Sequence, residues 1–573
     1  MMAFLQGIPA SEGIAIAKAF RFEPIDVKIE CEKVENSTKE VNSFFEALEK
    51  TVDELKQIKE HASTEAGIEN ATIFDAHLLV LRDPELIEPV VDRIIKKQYN
   101  AEFAVKEITD HYIHLLLQTE NEYLKERAAD IKDVANRLQA HLLGIPVLNP
   151  AMVAENVIIV SEDLSPSDAA LLNPSKVRGA VTNVGGKTSH AAFIAQSLNI
   201  PSVVGTKTAL GDIENGDVLV VDGYTGIVHI NPTPELIEEY EKKQEQTLRD
   251  LSELSWLAKE KTISLDKQYF SVVGNIGSME EAKGVIEHGG EGIGLFRTEF
   301  LFMEKKQLPT EEEQFQVYKS VLESLEGKPV VVRTIDIGGD KELPYLKLSK
   351  EMNPFLGLRG IRFCLGEQSI LRTQLRALIR ASAFGTLKIM FPMVAVIEEF
   401  RQGKLMFKEE CEKLKEEGVE IGHIELGMMV EIPATALMIE AFAKEVDFIS
   451  IGTNDLIQYT LAADRSNEQV SYLYQPYHPA ILRLIKNVID AAHKEGKSVS
   501  ICGDMAGNEV AIPLLVGMGL DEFSVHSAAI IKTRAHIRKL NKSEIEKKID
   551  MLLNLPNAVE IEEALENFFY KKL

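Results

Sequence analysis

The alternation of hydrophobic and polar positions divides the chain into stretches of different character. Residues 1–23 consist of short β segments separated by glycine turns. Residues 24–143 contain few glycines or prolines and repeat apolar positions at helical spacing, as in VNSFFEALEKTVDELKQIKEHA. Short apolar runs typical of strands, such as NVIIVSED and DVLVVDG, return over residues 144–232. The pattern predicts an α/β domain, formed by 1–23 and 144–232, with an inserted helical subdomain whose length suits a docking role.

The second half of the chain begins with a long charged helix. Over residues 233–261 only a thin apolar stripe runs from Leu236 to Leu254, which is typical of a connector between domains. From 262 to 573, eight apolar runs alternate with helical patterns: FSVVGN, GIGLFR, PVVVRTID, LKIMFPM, LGMMVEI, VDFISIG, SVSICGD and DEFSVH. Unbroken apolar strands indicate a sheet that is buried on both faces. Eight βα units predict a (β/α)8 TIM barrel, whereas one misassigned strand would leave an open doubly wound sheet.

Composition and charge narrow the class of protein. The 573 residues are too many for one core, and the contents of 45% hydrophobic and 27% charged residues are ordinary for a globular protein. Neither a membrane-spanning run nor a secretory leader is recognisable, and four scattered cysteines fit a reducing cytoplasm. A net charge of −26 argues against a nucleic-acid partner. An anionic substrate must therefore meet a local cluster of arginines.

Polar side chains follow the predicted barrel strands at the points where the strands end. They are Arg297, Arg333, Glu431, Asn454, Asp455 and Cys502, and Arg465 lies further along the chain beyond Asp455 as a candidate third arginine. Active sites of such barrels lie at the carboxyl ends of the strands, so we expect these side chains to meet at one mouth. Each of them taken alone is equally compatible with a salt bridge at the rim of the barrel.

The residue types at the mouth suit one kind of chemistry. Arginine offers a planar fork that matches phosphate or carboxylate groups. Glu431 and Asp455 are hard oxygen ligands without a neighbouring histidine, which favours Mg²⁺ or Mn²⁺ over zinc. An acid–base pair is the competing interpretation of these two carboxylates. Cys502 either packs as a small buried hydrophobe or exchanges a proton with a substrate carbon.

A second candidate site is the segment GGKTSHAAFIAQSLNIP, residues 185–201. Its two glycines allow a close backbone approach, and Thr188 or Ser189 can cap the helix that follows. The start of a helix attracts anions, which makes His190 a candidate phosphoryl acceptor with Lys187 within reach. A phosphate-binding turn with a bystander histidine is the alternative. A mobile histidine domain that visits the barrel pocket would connect the two sites, because phosphoryl transfer depends mainly on positioning and electrostatics.

Six long motifs resemble the signatures of the phosphoenolpyruvate-utilising enzymes. They are GGKTSHAAFIAQSLNIPSVVG, GIGLFRTEFLFM, RTIDIGGDK, NPFLGLRGIR, FISIGTNDLIQYTLAADR and ICGDMAG. Within that group the chain is similar, essentially from end to end, to the enzyme I family of the bacterial sugar phosphotransferase system. FLQGIPASEGIAIAKAF, FDAHLLVLRDPEL and YLKERAADIKDV also resemble that family rather than its dikinase relatives.

The resemblance implies a phosphoenolpyruvate-protein phosphotransferase. In such an enzyme the phosphoryl group passes from phosphoenolpyruvate to Nε2 of His190 and then to a histidine of the carrier protein HPr, with release of pyruvate. The implied roles are substrate binding by Arg297, Arg333, Asn454, Asp455 and Arg465, Mg²⁺ binding by Glu431 and Asp455, and proton donation by Cys502. The resemblance further implies a swivelling phosphohistidine domain, HPr docking on the helical subdomain, a homodimer through the barrel and a cytoplasmic location.

Two residues inside the matching motifs depart from the family pattern. Ile457 stands where threonine is expected, and His526 stands where serine is expected in the last strand. Three rival functions remain for comparison. An ATP-using phosphoenolpyruvate synthase or dikinase needs a nucleotide-binding domain, which the helical first 143 residues leave no room for. The other two are a phosphoacceptor that senses phosphoenolpyruvate without turnover and a metal-dependent lyase that uses the barrel alone.

Overall fold

The chain forms two compact units, residues 1–247 and 248–573. The computed structural model describes residues 3–22, 29–65, 73–118, 122–145, 155–164, 176–186, 192, 195, 200–303, 305, 307–338, 345–346, 351–465, 467 and 469–570. Within this part of the chain, no helix combines the length and the apolar character that a membrane span requires.

The first unit contains a mixed eight-stranded sheet. Its strands are β1 (Ala3–Gln6), β2 (Ile8–Ser11), β3 (Ile14–Phe22), β4 (Val157–Ser161), β5 (Val177–Thr182), β6 (Ser202–Val204), β7 (Val218–Asp222) and β8 (Ile227–Ile230), in the spatial order β1-β8-β7-β3-β4-β5-β6-β2. In β4, Ile159 faces one apolar core and Ile158 the other, so the sheet is buried on both faces. The hydrophobic pattern missed β8, a four-residue strand that pairs with both β1 and β7.

The helical stretch predicted between the β segments is confirmed as five helices. They are α1 (Ser37–Glu65), α2 (Ile73–Leu81), α3 (Pro84–Lys97), α4 (Ala101–Leu117) and α5 (Glu122–Leu143). Helix α3 begins where it does because the Asp83 carboxylate accepts a hydrogen bond from Glu85 N over 2.9 Å and proline follows at the first helical position. Residues of α1 to α5, among them Phe44, Phe74 and Val134, form a separate apolar core. The short helix α6 (Ala209–Asp212) follows β6, and α7 (Pro234–Leu254) occupies the predicted connector.

The second unit is a closed parallel barrel, as predicted. Its strands are β9 (Ser271–Ile276), β10 (Ile293–Arg297), β11 (Val330–Arg333), β12 (Leu387–Phe391), β13 (Ile424–Val430), β14 (Phe448–Ile451), β15 (Ser498–Ile501) and β16 (Glu522–Val525). Every neighbouring pair is parallel, and β16 pairs with β9 to close the ring. Closure excludes the open doubly wound sheet. All eight predicted strands are present because each is a short apolar run that the fold buries on both faces.

Helices alternate with the barrel strands. They are α8 (Met279–Glu287), α9 (Phe300–Met303), α10 (Glu311–Ser324), α11 (Ile361–Gly366), α12 (Gln368–Ala381), α13 (Ile397–Glu416), α14 (Pro433–Leu437), α15 (Ile439–Ala443), α16 (Thr453–Leu461), α17 (Pro479–Lys494), α18 (Ala511–Met518), α19 (Ile530–Arg538), α20 (Lys542–Leu553) and α21 (Ala558–Leu565). Thr310 and Glu313 form a reciprocal capping box at the start of α10. The alternation turns the carboxyl ends of all eight strands toward one mouth.

Candidate functional site

The predicted barrel residues lie at the carboxyl ends of the strands. Arg297 and Arg333 are the last residues of β10 and β11 and are paired in register. Glu431 directly follows β13, and Asn454 and Asp455 lie in the first turn of α16, directly after β14. The closed barrel thus gathers residues from four strands that are more than 150 positions apart at the extremes, as its topology requires.

Two buried arginines and three carboxylates form a continuous network at this mouth. Arg333 Nη2 donates to Glu299 Oε1 over 3.0 Å, and its Nη1 lies 3.2 Å from Asp336 Oδ2. Arg359 donates to Asp336 Oδ1 over 3.1 Å and to Asp455 Oδ1 over 3.1 Å. Burial disfavours the charged guanidinium, but the adjacent carboxylates outweigh it and raise the pKa of both arginines above the usual value. Both side chains therefore remain fixed cations.

Three members of this network have no assigned role in the sequence-based prediction: Glu299, Asp336 and Arg359. Glu299 and Asp336 each follow a barrel strand by two or three residues, a position that could have drawn attention to them. Arg359 lies within NPFLGLRGIR, and Gly360 after it adopts a φ of +57°. A Cβ atom at Gly360 would lie 2.8 Å from Met393 Cβ, so only glycine allows this close approach.

Glu431 is the least satisfied carboxylate of the mouth. Its Oε1 accepts a hydrogen bond from Met393 N over 2.6 Å, whereas its buried Oε2 has no hydrogen-bond partner among the described residues. Burial, reinforced by the charges of Asp455 and Asp336, raises the pKa of Glu431 to about 8. A Cβ atom at position 452 would lie 3.0 Å from Oε2, so glycine there avoids a close contact with this oxygen.

The donor set of the mouth fits a hard divalent cation. The mouth holds the carboxyl groups of Glu299, Asp336, Glu431 and Asp455 together with the guanidiniums of Arg333 and Arg359. Within the described ranges, no three potential metal ligands are arranged so that they could hold an ion by themselves. Mg²⁺ usually takes only one or two protein carboxylates and completes its shell with water and substrate phosphate. The unpaired Glu431 Oε2 is an oxygen that such an ion would satisfy.

Cys502 directly follows β15 and is buried in the interior of the barrel. It belongs to a small apolar cluster with Leu295 and Met429, and its Sγ lies 3.7 Å from Ile451 O. Asn275 Nδ2 donates to Cys502 O over 3.1 Å and thereby ties the end of β15 to β9. Burial raises the pKa of the Cys502 thiol to about 11. The thiol is therefore protonated at neutral pH and has a proton to donate.

The other predicted residues are connected to the mouth more loosely. Asn454 Oδ1 accepts a hydrogen bond from Asp504 N over 3.1 Å. Arg465 donates its backbone N–H to Gln458 Oε1 over 3.1 Å, and its side chain is half-buried. Among the described residues no carboxylate forms an ion pair with the guanidinium of Arg297 or of Arg465. Both arginines thus differ from Arg333 and Arg359, which are each paired with two carboxylates.

The two departures from the family pattern have different surroundings. Ile457 is buried in α16 and packs in the core of the second unit, where an apolar side chain is compatible with the site. His526 follows β16 at the mouth. Burial, followed by the charge of Arg297, lowers the pKa of His526, so its ring is neutral at pH 7. A neutral imidazole in place of serine retains a hydrogen-bonding group at the lip.

His190 and its neighbours Lys187, Thr188 and Ser189 lie outside the described residues, so their geometry remains a prediction. Two positions of the helix predicted after His190 are described. Ala192 and Ala195 are helical and are buried in the apolar core that contains Ile159 of β4. These two positions agree with the predicted helix.

The mouth therefore defines a barrel enzyme that acts on a small anionic substrate. Models of the phosphoenolpyruvate-utilising enzymes match the chain in three places: the PEP-binding domain over residues 252–542, the N-terminal domain over 6–127 and the mobile domain over 153–226. The chain is a member of this group, as its motifs predicted.

Full-length relatives identify the family within the group. The phosphoenolpyruvate-protein phosphotransferase of Priestia megaterium is 56% identical over 99% of both chains. Its counterpart from Bacillus subtilis (strain 168) is 56% identical over 98% of both chains. The one from Staphylococcus carnosus (strain TM300) is 53% identical and covers 98% of this chain and 99% of its own. The chain belongs to the family of phosphoenolpyruvate-protein phosphotransferases.

Proposed function

We propose that the protein transfers the phosphoryl group of phosphoenolpyruvate to His190 and then to a histidine of HPr, releasing pyruvate. The observation that carries this proposal is the network of buried arginines and carboxylates beside a protonated thiol at the barrel mouth. Three relatives of the same length are named for this activity, which favours it over the dikinase, sensor and lyase alternatives. The family model of the mobile domain matches residues 153–226, a range that includes His190, as a phosphohistidine domain requires.

The arginines bind the substrate and stabilise the charge that develops on it. Arg297 and Arg465 have no carboxylate partner among the described residues and are ready to accept an anionic group. Arg333 is held in one orientation by Glu299 and Asp336, so its remaining N–H groups are preorganised. Arg333 Nε is buried without a hydrogen-bond partner in the described part of the chain, which makes it a donor for a substrate oxygen.

The phosphoryl transfer needs an unprotonated imidazole nitrogen. Nε2 of His190 attacks the phosphorus, the P–O bond to the enol oxygen breaks, and its electron pair passes to that oxygen. Lys187 and the backbone N–H groups at the start of the predicted helix stabilise the phosphohistidine. The domain of residues 1–23 and 144–232 carries His190 to the barrel, and the connector of residues 233–261 permits the movement.

Glu431 and Asp455 would hold Mg²⁺, with Asn454 beside them as a hydrogen-bonding group for the substrate. When bound, the ion neutralises negative charge on the phosphoryl and carboxylate oxygens. The buried Glu431 Oε2, which has no hydrogen-bond partner among the described residues, supports this assignment. Of the two ions that the residue types favour, we propose Mg²⁺ as the cofactor.

Cys502 donates the proton that converts the enolate to pyruvate. With a pKa of about 11 the thiol is protonated before the transfer, and the charges of Arg333 and Arg297 favour the thiolate that remains. The methylene carbon of the enolate accepts this proton, so that the released product is the keto acid.

The partners follow from the same assignment. We place HPr on the helical subdomain, residues 24–143, where the apolar side chains of Leu79 and Leu115 are exposed. The homodimer contact lies on the barrel of residues 262–573, where Met352 and Leu437 are exposed in the same way. A cytoplasmic location agrees with these partners, since both the substrate and the carrier belong to that compartment in the proposed reaction.

Labelled phosphoenolpyruvate tests the proposal. Incubation of the full chain with ³²P-labelled substrate and Mg²⁺ should yield an acid-labile label that maps to His190. Addition of HPr should remove the label and sustain the release of pyruvate. A label on another side chain contradicts the histidine assignment, and labelling without continuous pyruvate release in the presence of HPr favours the sensor.

A further inference from the structure

Arg359 and the candidate metal ligand Asp455 are paired through both oxygens of the carboxylate. Arg359 Nη1 donates to Asp455 Oδ1 over 3.1 Å, and Nη2 donates to Oδ2 over 3.4 Å. Only 1% of Arg359 and 6% of Asp455 is exposed. Both oxygens that a metal ion would use therefore already face a cation that belongs to the chain itself.

Arg359 is bound more closely to Asp336 than to Asp455. Arg359 donates to Asp336 through Nε over 3.1 Å and through Nη2 over 3.0 Å. Asp336 N in turn donates to Glu299 Oε1 over 2.9 Å, which fixes this loop. Arg359 Nη1 also donates to the Tyr459 hydroxyl over 3.2 Å. If Asp455 turns to another cation, Arg359 keeps Asp336 and Tyr459 and does not become an unpaired buried charge.

We propose that Arg359 is a positioning residue that acts as an internal counter-ion for Asp455 and yields this carboxylate to the divalent cation. The inference rests on the proposed metal site at Glu431 and Asp455. A lone pair of a carboxylate oxygen serves either an N–H group or a metal ion, so Arg359 and the cation compete for Asp455. The barrel alone consequently binds the cation more weakly than two free carboxylates would. The N–H groups that Asp455 releases become available to the anionic substrate.

Arg333 provides a matched control for charge. It carries the same charge as Arg359, is also buried, and also favours the ionised form of Glu431. Its carboxylate contacts, however, are Glu299 and Asp336 and do not include Asp455. Removal of either arginine makes the mouth more negative by one charge. Only removal of Arg359 also frees the oxygens of Asp455.

A titration of the full chain with Mn²⁺ in the absence of phosphoenolpyruvate separates the effect of net charge from the effect of freeing Asp455. The EPR signal of the free ion measures how much Mn²⁺ is bound. We expect Arg359→Gln to bind Mn²⁺ about tenfold more tightly than the wild type, because a charge-assisted pairing no longer competes. Arg333→Gln should change the dissociation constant less than Arg359→Gln does, because its removal frees no oxygen of Asp455. Equal tightening in both variants would show that only the net charge matters and would overturn the inference.

A second variant covers the case in which Arg359→Gln does not fold. Arg359→Lys keeps the charge, but a point charge cannot span Asp336 and Asp455 as the guanidinium does, so Mn²⁺ should again bind more tightly than to the wild type. An unchanged affinity for Arg359→Lys argues against competition. Failure of the metal site itself gives a different result, since neither the wild type nor any arginine variant would then bind Mn²⁺.

Discussion

Asp336 is the carboxylate on which the buried network depends, and its replacement by asparagine gives a quantitative test. Its two oxygens meet Arg359 at 3.1 and 3.0 Å and Arg333 at 3.2 Å, and it is fully buried. With its carbonyl oxygen in the Oδ2 position, an asparagine can still accept from Arg333 Nη1 and Arg359 Nη2. Its amide N–H groups, however, then face Arg359 Nε, donor against donor.

The expected loss of folding stability depends on the carboxylate partners that each arginine retains. Arg333 keeps Glu299, and Arg359 keeps Asp455, so neither is fully stripped of partners. Loss of one to two charge-assisted bonds in a buried site costs about 3 kcal/mol, within the range for breaking a buried ion pair. Relief of the repulsion on Glu431 keeps the loss below the upper end of that range. The folding equilibrium of the barrel unit should thus shift roughly 150-fold toward unfolding.

The only tryptophan of the chain, Trp256, reports on the right unit. It lies in the second unit beside Arg538, so its fluorescence during urea denaturation follows the barrel. Glu410→Gln is the matched control. Glu410 is buried and accepts from Arg372 over 2.7 Å and from Lys413 over 2.8 Å, but it lies on α13 in another ion-pair cluster.

Both variants should unfold at lower urea concentrations than the wild type. Stabilisation of the barrel by added phosphoenolpyruvate should persist in Glu410→Gln and decrease in Asp336→Asn, because Asp336, unlike Glu410, aligns Arg333 and Arg359. A loss of less than about 1 kcal/mol in Asp336→Asn would refute the reasoning, since a shared buried carboxylate cannot be removed so cheaply. Equal ligand stabilisation in the two variants would refute the positioning role of Asp336.

Three further outcomes are expected. His190→Ala should abolish labelling by phosphoenolpyruvate while substrate binding to the barrel persists; residual labelling would contradict its role. Cys502→Ala should slow pyruvate formation more than substrate binding, whereas Cys364→Ala, at another buried cysteine, should leave the rate unchanged; unchanged turnover in Cys502→Ala would refute the proton-donor assignment. Glu431 has a pKa raised from 4.5 to about 8, so between these values only the folded state holds its proton. The free energy of unfolding, measured through Trp256 in EDTA, should therefore fall by up to about 1.4 kcal/mol per pH unit as the pH rises, and Glu431→Gln should lack this contribution; identical pH profiles would exclude the raised pKa.

The amino-acid pattern was sufficient to predict the architecture of the second unit and the places where chemistry is expected. Eight apolar runs predicted eight strands, and the strand ends located Arg297, Arg333, Glu431 and Cys502 correctly. This succeeded because the period and length of an apolar run are local properties, and because a closed parallel barrel brings all carboxyl ends together. The strand β8 was missed because its short apolar run, IVHI, is interrupted by the polar side chain of His229.

The pairing of these side chains, in contrast, depends on the folded barrel. Asp336 and Arg359 are 23 residues apart, and Arg359 and Asp455 are 96 apart, so no local pattern connects them. The same holds for the charge states: the raised pKa of Glu431 and of the Cys502 thiol comes from burial and from neighbours on other strands. Residue types determine which chemistry is available, but desolvation and long-range contacts determine which charges persist, and both exist only after the barrel has closed.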